Sequence, residues 1–442
     1  MSKFFYMGFQ DLPSSLHLEQ LLELARKSGA SSAEVYQSRT LSKPVFFEAN
    51  RLKQLESSQS EGVALRLWRE GQPGLAVAYG SVKPQDLVDR AIAMCQLNQA
   101  EEIELTQAPM THYPDLGDVV SVEELVAMGK QAIAQIRDVY PEVLCTAQWE
   151  CESETTRLIN STGLDCHYTD NTLSCFLTAE WVRGDDFLSV VDGQTQRGSL
   201  NPERVVGQIL QRLAWSQENV LPTTGRLPIL LTAKAADILW DTVQEALNGK
   251  RVVENATPWS DRLGQLVTSS SLSLSQQPDV GPFSCPFDDE GTPTRPILLI
   301  REGQLQQFYS DRTTGRLLGN STTGNGFRSS LGSYPTPGLV NLLVQPGKDS
   351  LSDLIGKLDE GLIVDQMLGS GAGISGDFSI NVELGYRVHQ GKIMGRVKDT
   401  MVSGNVYSAI KDVVALGNDA DWNGPIYTPS LIIGKMSVTS KL

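Results

Sequence analysis

Residues 15–28 read SLHLEQLLELARKS, and Leu18, Leu21, Leu22 and Ala25 fall on one helical face. Four segments of strand character follow: AEVYQSRT, KPVFFEA, EGVALRLW and GLAVAYG. REGQPG, a turn carrying Gly71, Pro73 and Gly74, joins the last two. In GVALRLW, Val63, Leu65 and Leu67 alternate with Ala64, Arg66 and Trp68, the period of a half-buried strand. Helical spacing returns over 84–98 (PQDLVDRAIAMCQLN) and closes a first α+β unit. A loop with Pro109 and Pro114 precedes a helix over 121–140, which opens on Ser121-x-x-Glu124, a capping-box pattern. Residues 142–195 read as successive antiparallel strands, 202–215 as a helix, and the turn LPTTGRLP marks a boundary near 222.

Beyond it, the apolar run LPILL (227–231) leads into DILWDTVQEALNG (237–249), where Ile238, Leu239, Val243, Ala246 and Leu247 keep helical spacing. A Ser-rich stretch (268–275), turns at REGQ (301–304) and HQGK (389–392), and the loop STTGNG (321–326) follow. A helix over 350–359 feeds GLIVDQMLGSGAGISGDFS, and the last strand reads SLIIGKMSV. The pattern predicts an α+β fold. An N-terminal α/β sandwich-like unit with antiparallel strands (1–105) precedes a central domain of helix plus antiparallel strands (106–221). A C-terminal β-rich, barrel-like domain with few helices (222–442) completes the chain.

Composition narrows the function. A net charge of −15, from 37 basic and 52 acidic residues, argues against a nucleic-acid backbone as partner. The N-terminal apolar stretch is too short for a signal segment, and no apolar run reaches the roughly 18 residues of a membrane helix. The expectation is a cytoplasmic protein with no membrane partner. Six cysteines without a CxxC pair read as buried thiols of a reducing compartment.

Candidate chemistry is sparse. His17, His112, His167 and His389 are the only histidines, and no two lie within one helical turn, so no helical zinc pair exists. Cys145, Cys151, Cys166 and Cys175 with His167 are a conceivable zinc set, although core packing explains them equally well. In CPFDDEG, Asp288 and Glu290 point to the same face of an extended segment, as an acid–base pair for hydrolysis would need. A charged loop turning at Gly291 is the competing reading. GSGAGISG (369–376) has neither a P-loop lysine nor a nucleophile elbow. Such glycine density suits backbone that passes close to another surface, or a tight turn.

Several longer segments resemble the TldD/PmbA family, known as modulators of DNA gyrase. They are EGVALRLWREGQPGLA (61–76), FDDEGTPTRPILLIREGQLQQFYSD (287–311), GRLLGNSTTGN (315–325), GLIVDQMLGSGAGISGDFSINVELGYRV (361–388) and IKDVVALGNDADW (410–422). They occur in the family's order across nearly the whole chain. One branch of that family carries HExxxH on the helix after the first C-terminal strand, plus a later cysteine, and is a zinc peptidase. Here DILWDTVQEALNG occupies that place, no histidine occurs between His167 and His389, and Cys285 does not match the late cysteine. The resemblance therefore implies the PmbA/TldE branch: no catalytic residue, metal ligand or cofactor in this chain, and zinc in a TldD-like partner subunit. It implies an extended peptide substrate held by strand addition, in a chamber or interface lined by Gly369, Gly371, Gly373, Ser375, Asp288 and Glu290. The alternatives are a homodimeric peptide-binding scaffold and an independent hydrolase using Asp288 or Glu290.

Overall fold

The computed structural model describes residues 17–108, 110–369 and 371–440. The N-terminal apolar stretch, the first two residues of the helix expected over 15–28, Pro109 and Ser370 lie outside them. The expected helices are present with shorter ends: Leu18–Lys27, Pro84–Cys95, Val122–Val139, Pro202–Trp215, Asp237–Leu247 and Leu351–Gly356. Ser121 accepts the Glu124 N–H, and Ser350 with Asp353 forms a complete capping box. That box fixes only a six-residue helix, shorter than the sequence pattern over 350–359 predicts.

Strands from both sides of residue 105 build one eight-stranded sheet. Ser32–Glu48 lies in its middle, with Val35 opposite Leu65 on one side and Ile159 on the other. Leu144–Asn160 and Asp165–Arg183 form a long hairpin, and Asp186–Gln196 pairs only with the latter. Three hairpin turns share one mechanism. Glu70-Gly71, Glu302-Gly303 and Gln390-Gly391 each place two successive residues at positive φ, the backbone of a two-residue turn that matches strand twist.

The C-terminal part is a closed five-stranded barrel. Gly225–Leu231 pairs with Glu360–Leu368 and Leu431–Ser440, Thr400–Asn405 joins Leu431–Ser440 to Asp377–His389, and Asp377–His389 returns to Glu360–Leu368. Alternation sorts the two faces. Ile229, Leu231, Leu362, Val364, Leu431 and Ile433 share a core with the Asp237–Leu247 helix. Leu230, Ile363 and Ile432 join a different core, with Trp149 of the eight-stranded sheet and Ile209 of the Pro202–Trp215 helix.

The strand through GVALRLW is covered on both faces, where alternation predicted one wet face. Val63, Leu65 and Leu67 pack beneath the first two helices. On the other face Arg66 meets Glu34 at 2.9 Å, and Glu34 also receives Arg328 from the C-terminal half at 2.8 Å. Arg66 further lies over the Trp68 and Tyr334 rings. Glu34 and Arg328 are each 3 % exposed, so removing the carboxylate that Arg66 and Arg328 share strands guanidinium charge away from water. Glu34→Leu is expected to lower the unfolding free energy by about 3–5 kcal/mol in urea titrations. A change below about 1 kcal/mol, the range of an exposed pair, would contradict this account of the seam.

Candidate functional site

The Asp237–Leu247 helix follows the Gly225–Leu231 strand and presents its apolar residues, from Ile238 to Leu247, to the barrel core. Trp240 is fully buried and donates from Nε1 to Thr428 Oγ1 at 2.7 Å. Three carboxylates stand on the helix, Asp237 and Asp241 one turn apart and Glu245 one turn further on, where it pairs with Arg251 at 2.8 Å. Asp237 accepts the Asn423 amide at 3.0 Å, and burial together with the charge of Asp241 raises it to about 6. Asp241 is exposed by surface area, and the water that the protein displaces around its carboxyl raises it too.

The glycine run meets this helix. A Cβ at Gly371 would lie 4.0 Å from Asp241 Oδ2, with nothing nearer. Tyr407 anchors the far side of the run through a 2.7 Å bond to the Ile374 carbonyl, and Asn405 holds the Ser375 carbonyl. Gly369, Gly371, Gly373 and Ser375 are all exposed, while Ala372 is buried between them. Leu368, 54 % exposed, stands at the same rim. The helix and the run thus form an open surface, not an enclosed chamber within one chain. Gly373 has φ +56 and nothing within 4 Å of a Cβ, so any larger residue there tests backbone strain and not the surface. Gly371 is the cleaner probe.

Asp288 and Glu290 lie elsewhere, at the seam with the N-terminal sheet. Asp288 is fully buried, and its carboxylate accepts three backbone N–H groups, from Glu290 at 3.0 Å, Thr292 at 2.8 Å and Gly326 at 2.8 Å. Both oxygens are given to the loop, and the Glu290 carboxylate accepts the Arg312 N–H at 2.9 Å. Gly291 turns the chain at φ +73, against Leu164. The pair holds a loop in place.

The thiols are core residues. Cys145, Cys151 and Cys175 belong to one buried cluster and Cys166 to another. Burial pushes Cys145 up to about 11 and Cys175 up to about 12, the protonated form suited to packing. The histidines are dispersed. His112 Nδ1 lies 2.6 Å from His167 Nε2 on the N-terminal sheet, and His389 pairs with Glu360 at 2.8 Å. His389 is at the end of the Asp377–His389 strand opposite the glycine run, roughly 40 Å away in extended chain. Among the described residues no three His, Cys, Asp or Glu side chains converge to hold a metal ion. Asp237 and Asp241, without imidazole or thiolate beside them and with Glu245 committed to Arg251, do not fit zinc.

Two features escape the sequence pattern. Asp365 sits inside the apolar strand GLIVDQML, and Arg212 falls on the apolar stripe of its helix beside Val205, Ile209 and Leu213. A charge at a core position was the available signal for both, and they meet at 2.7 Å.

The loop carboxyls make stability depend on pH. Asp288, with three N–H donors, is the ionised member, although burial raises it to about 7. Burial and the Asp288 charge raise Glu290 to about 8. An unfolded glutamate titrates near about 4.3, so the folded chain binds more protons between about pH 4 and about pH 8. This contribution is fully present below that window and is lost as pH rises through it. Glu360, which the Arg387 hydrogen bond holds at about 2, acts only below the window. Urea midpoints should therefore fall between about pH 5 and about pH 8.5, and Glu290→Gln should flatten the decline. A midpoint that rises over this range in both proteins would contradict the assignment.

Comparison with known proteins gives the family. The PmbA/TldA metallopeptidase C-terminal domain matches residues 224–440, and PmbA/TldA metallopeptidase domain 1 matches residues 33–95. An uncharacterised protein of Methanocaldococcus jannaschii is 23 % identical over 94 % of this chain and 98 % of its own length. A metalloprotease PmbA homolog of Haemophilus influenzae is 23 % identical over 95 % of this chain and 94 % of its own. The crystal structure of TldE from Thermococcus kodakarensis shares the fold at a TM-score of 0.87 and 22 % identity, over 96 % of this chain and 99 % of that one. With both domain matches in order along a mixed α+β chain that closes a five-stranded barrel, the protein belongs to the TldD/PmbA metallopeptidase family.

Proposed function

We propose that this chain is the non-catalytic, TldE/PmbA-like subunit of a heteromeric zinc peptidase that acts on unfolded or short peptides. The observation that carries the reading is the helix Asp237–Leu247, which keeps its place after the first barrel strand but bears Trp240 and Asp241 and no histidine. Zinc and the water it activates belong to a TldD-like partner subunit. This chain contributes a wall.

The open face made by Asp241, Gly371 and Leu368 supports that role, because a chamber there requires a second chain to close it. Glycines at the rim let a peptide or a partner backbone approach closely. Strand addition is restricted by the fold. The five barrel strands are paired on both sides, so an added strand must use an edge outside the barrel, on the eight-stranded sheet, on the six-stranded sheet or on the partner. Cytoplasmic location follows as part of the same proposal, and among the described residues no helix is long and apolar enough to cross a membrane.

Two outcomes test the reading. The chain alone should leave an unstructured peptide intact, whereas addition of a zinc-bearing family partner should restore cleavage that a chelator abolishes. Chelator-resistant cleavage by the lone chain would overturn it. In the mixture, Gly371→Val should reduce the cleavage rate or the assembly of the pair about ten-fold, with the melting temperature of the lone chain unchanged. Normal rate and normal assembly would remove the glycine run from the interface.

A further inference from the structure

Between the strand Asp186–Gln196, the helix Pro202–Trp215 and residues 232–234 lies a cavity of about 420 Å³. Its floor is a buried ion cluster. Arg212 Nε sits 2.7 Å from Asp365 Oδ2, and Arg212 Nη1 bonds Asp192. Asp365 is 1 % exposed, Asp192 4 % and Arg212 8 %. Lys234 donates from Nζ to the Val191 carbonyl, which leaves two of its three N–H groups uncommitted by that bond. With Lys234 the four charges sum to zero. Of the other acids at the wall, Asp421 is neutralised by Arg204, and Asp419 accepts from Ser430.

Two buried groups in this wall have no hydrogen-bond partner among the described residues, the second oxygen of Asp365 and the hydroxyl of Thr232. Buried polar atoms are ordinarily paired, so two unpaired ones on residues that line one cavity indicate donors that arrive from outside the chain. An ammonium group supplies several such donors. A carboxylate complements the free N–H groups of Lys234, and Trp215 and Phe283 provide apolar wall.

We propose that this cavity binds a small zwitterionic amino compound, a free amino acid or a di- or tripeptide. Its ammonium would rest on Asp365 Oδ1 and Thr232 Oγ1, and its carboxylate on Lys234 Nζ. The site is built by one chain and does not rest on the subunit reading. Occupancy would also tie the two halves of the molecule together, since Lys234 and Asp365 belong to the barrel and Asp192 and Arg212 do not.

Isothermal titration of the full chain with the dipeptide alanyl-leucine tests it. Saturable one-to-one binding is expected, weakened about ten-fold or more by N-acetylation, by C-amidation and by Asp365→Asn. Asp365→Asn also loosens Arg212, so Thr232→Val serves as the second variant. It should weaken binding several-fold while leaving the melting temperature of the empty chain equal or higher, because an unpaired buried hydroxyl is replaced by an isosteric methyl. No saturable heat from a normally folded chain would overturn the proposal. So would binding indifferent to N-acetylation and to Thr232→Val, and amidation without effect would remove the Lys234 contact and with it the zwitterion assignment.

Discussion

The strand Glu360–Leu368 is the constraint on which the molecule turns. It pairs in parallel with Gly225–Leu231 and antiparallel with Asp377–His389, and without it the barrel is an open sheet. Its side chains then address three places at once. Leu362 and Val364 fill the core beneath the Asp237–Leu247 helix, and the Val364 carbonyl receives the Thr232 N–H at the start of the turn into that helix. Asp365 points the other way, to Arg212. Gln366 accepts the Val191 N–H and reaches the Ser189 carbonyl, so it blocks part of a sheet edge that would otherwise invite another strand. One strand thus closes the barrel, seats the helix and docks the N-terminal unit.

Much of this was legible in the sequence because it depends on local periodicity. The helices at 84–98, 121–140 and 202–215, the REGQ and HQGK turns and the barrel-like C-terminal half all follow from spacing and turn chemistry, with differences confined to helix ends. What the pattern could not give was the partner of each face. Arg66 reads as the wet side of a strand until Glu34 pairs with it, and Glu34 in turn receives Arg328 from 294 positions further along the chain. Asp288 and Glu290 read as a charged loop with an acid–base pair as the rival, and the direction of the N–H groups at 290, 292 and 326 bears the loop out. The contact between the 369–376 run and Asp241 likewise comes from barrel closure, which no window of sequence contains.

The fold separates inherited architecture from chemistry. The helix after the first barrel strand is anchored in the core by Trp240, while Asp237 and Asp241 stand one turn apart on it beside an open rim. Such a surface can bound a space and contact a peptide, and the proposed reading leaves the activation of water to a partner's zinc. Under the proposed function, activity resides in what this surface adjoins.

The most direct test of that claim is the stoichiometry of assembly, measured by native mass spectrometry on this chain mixed with a zinc-bearing member of its family. The account predicts a complex that contains both chains, with zinc bound only to the partner. Persistent separate homo-oligomers, or zinc carried stoichiometrically by this chain, would contradict it.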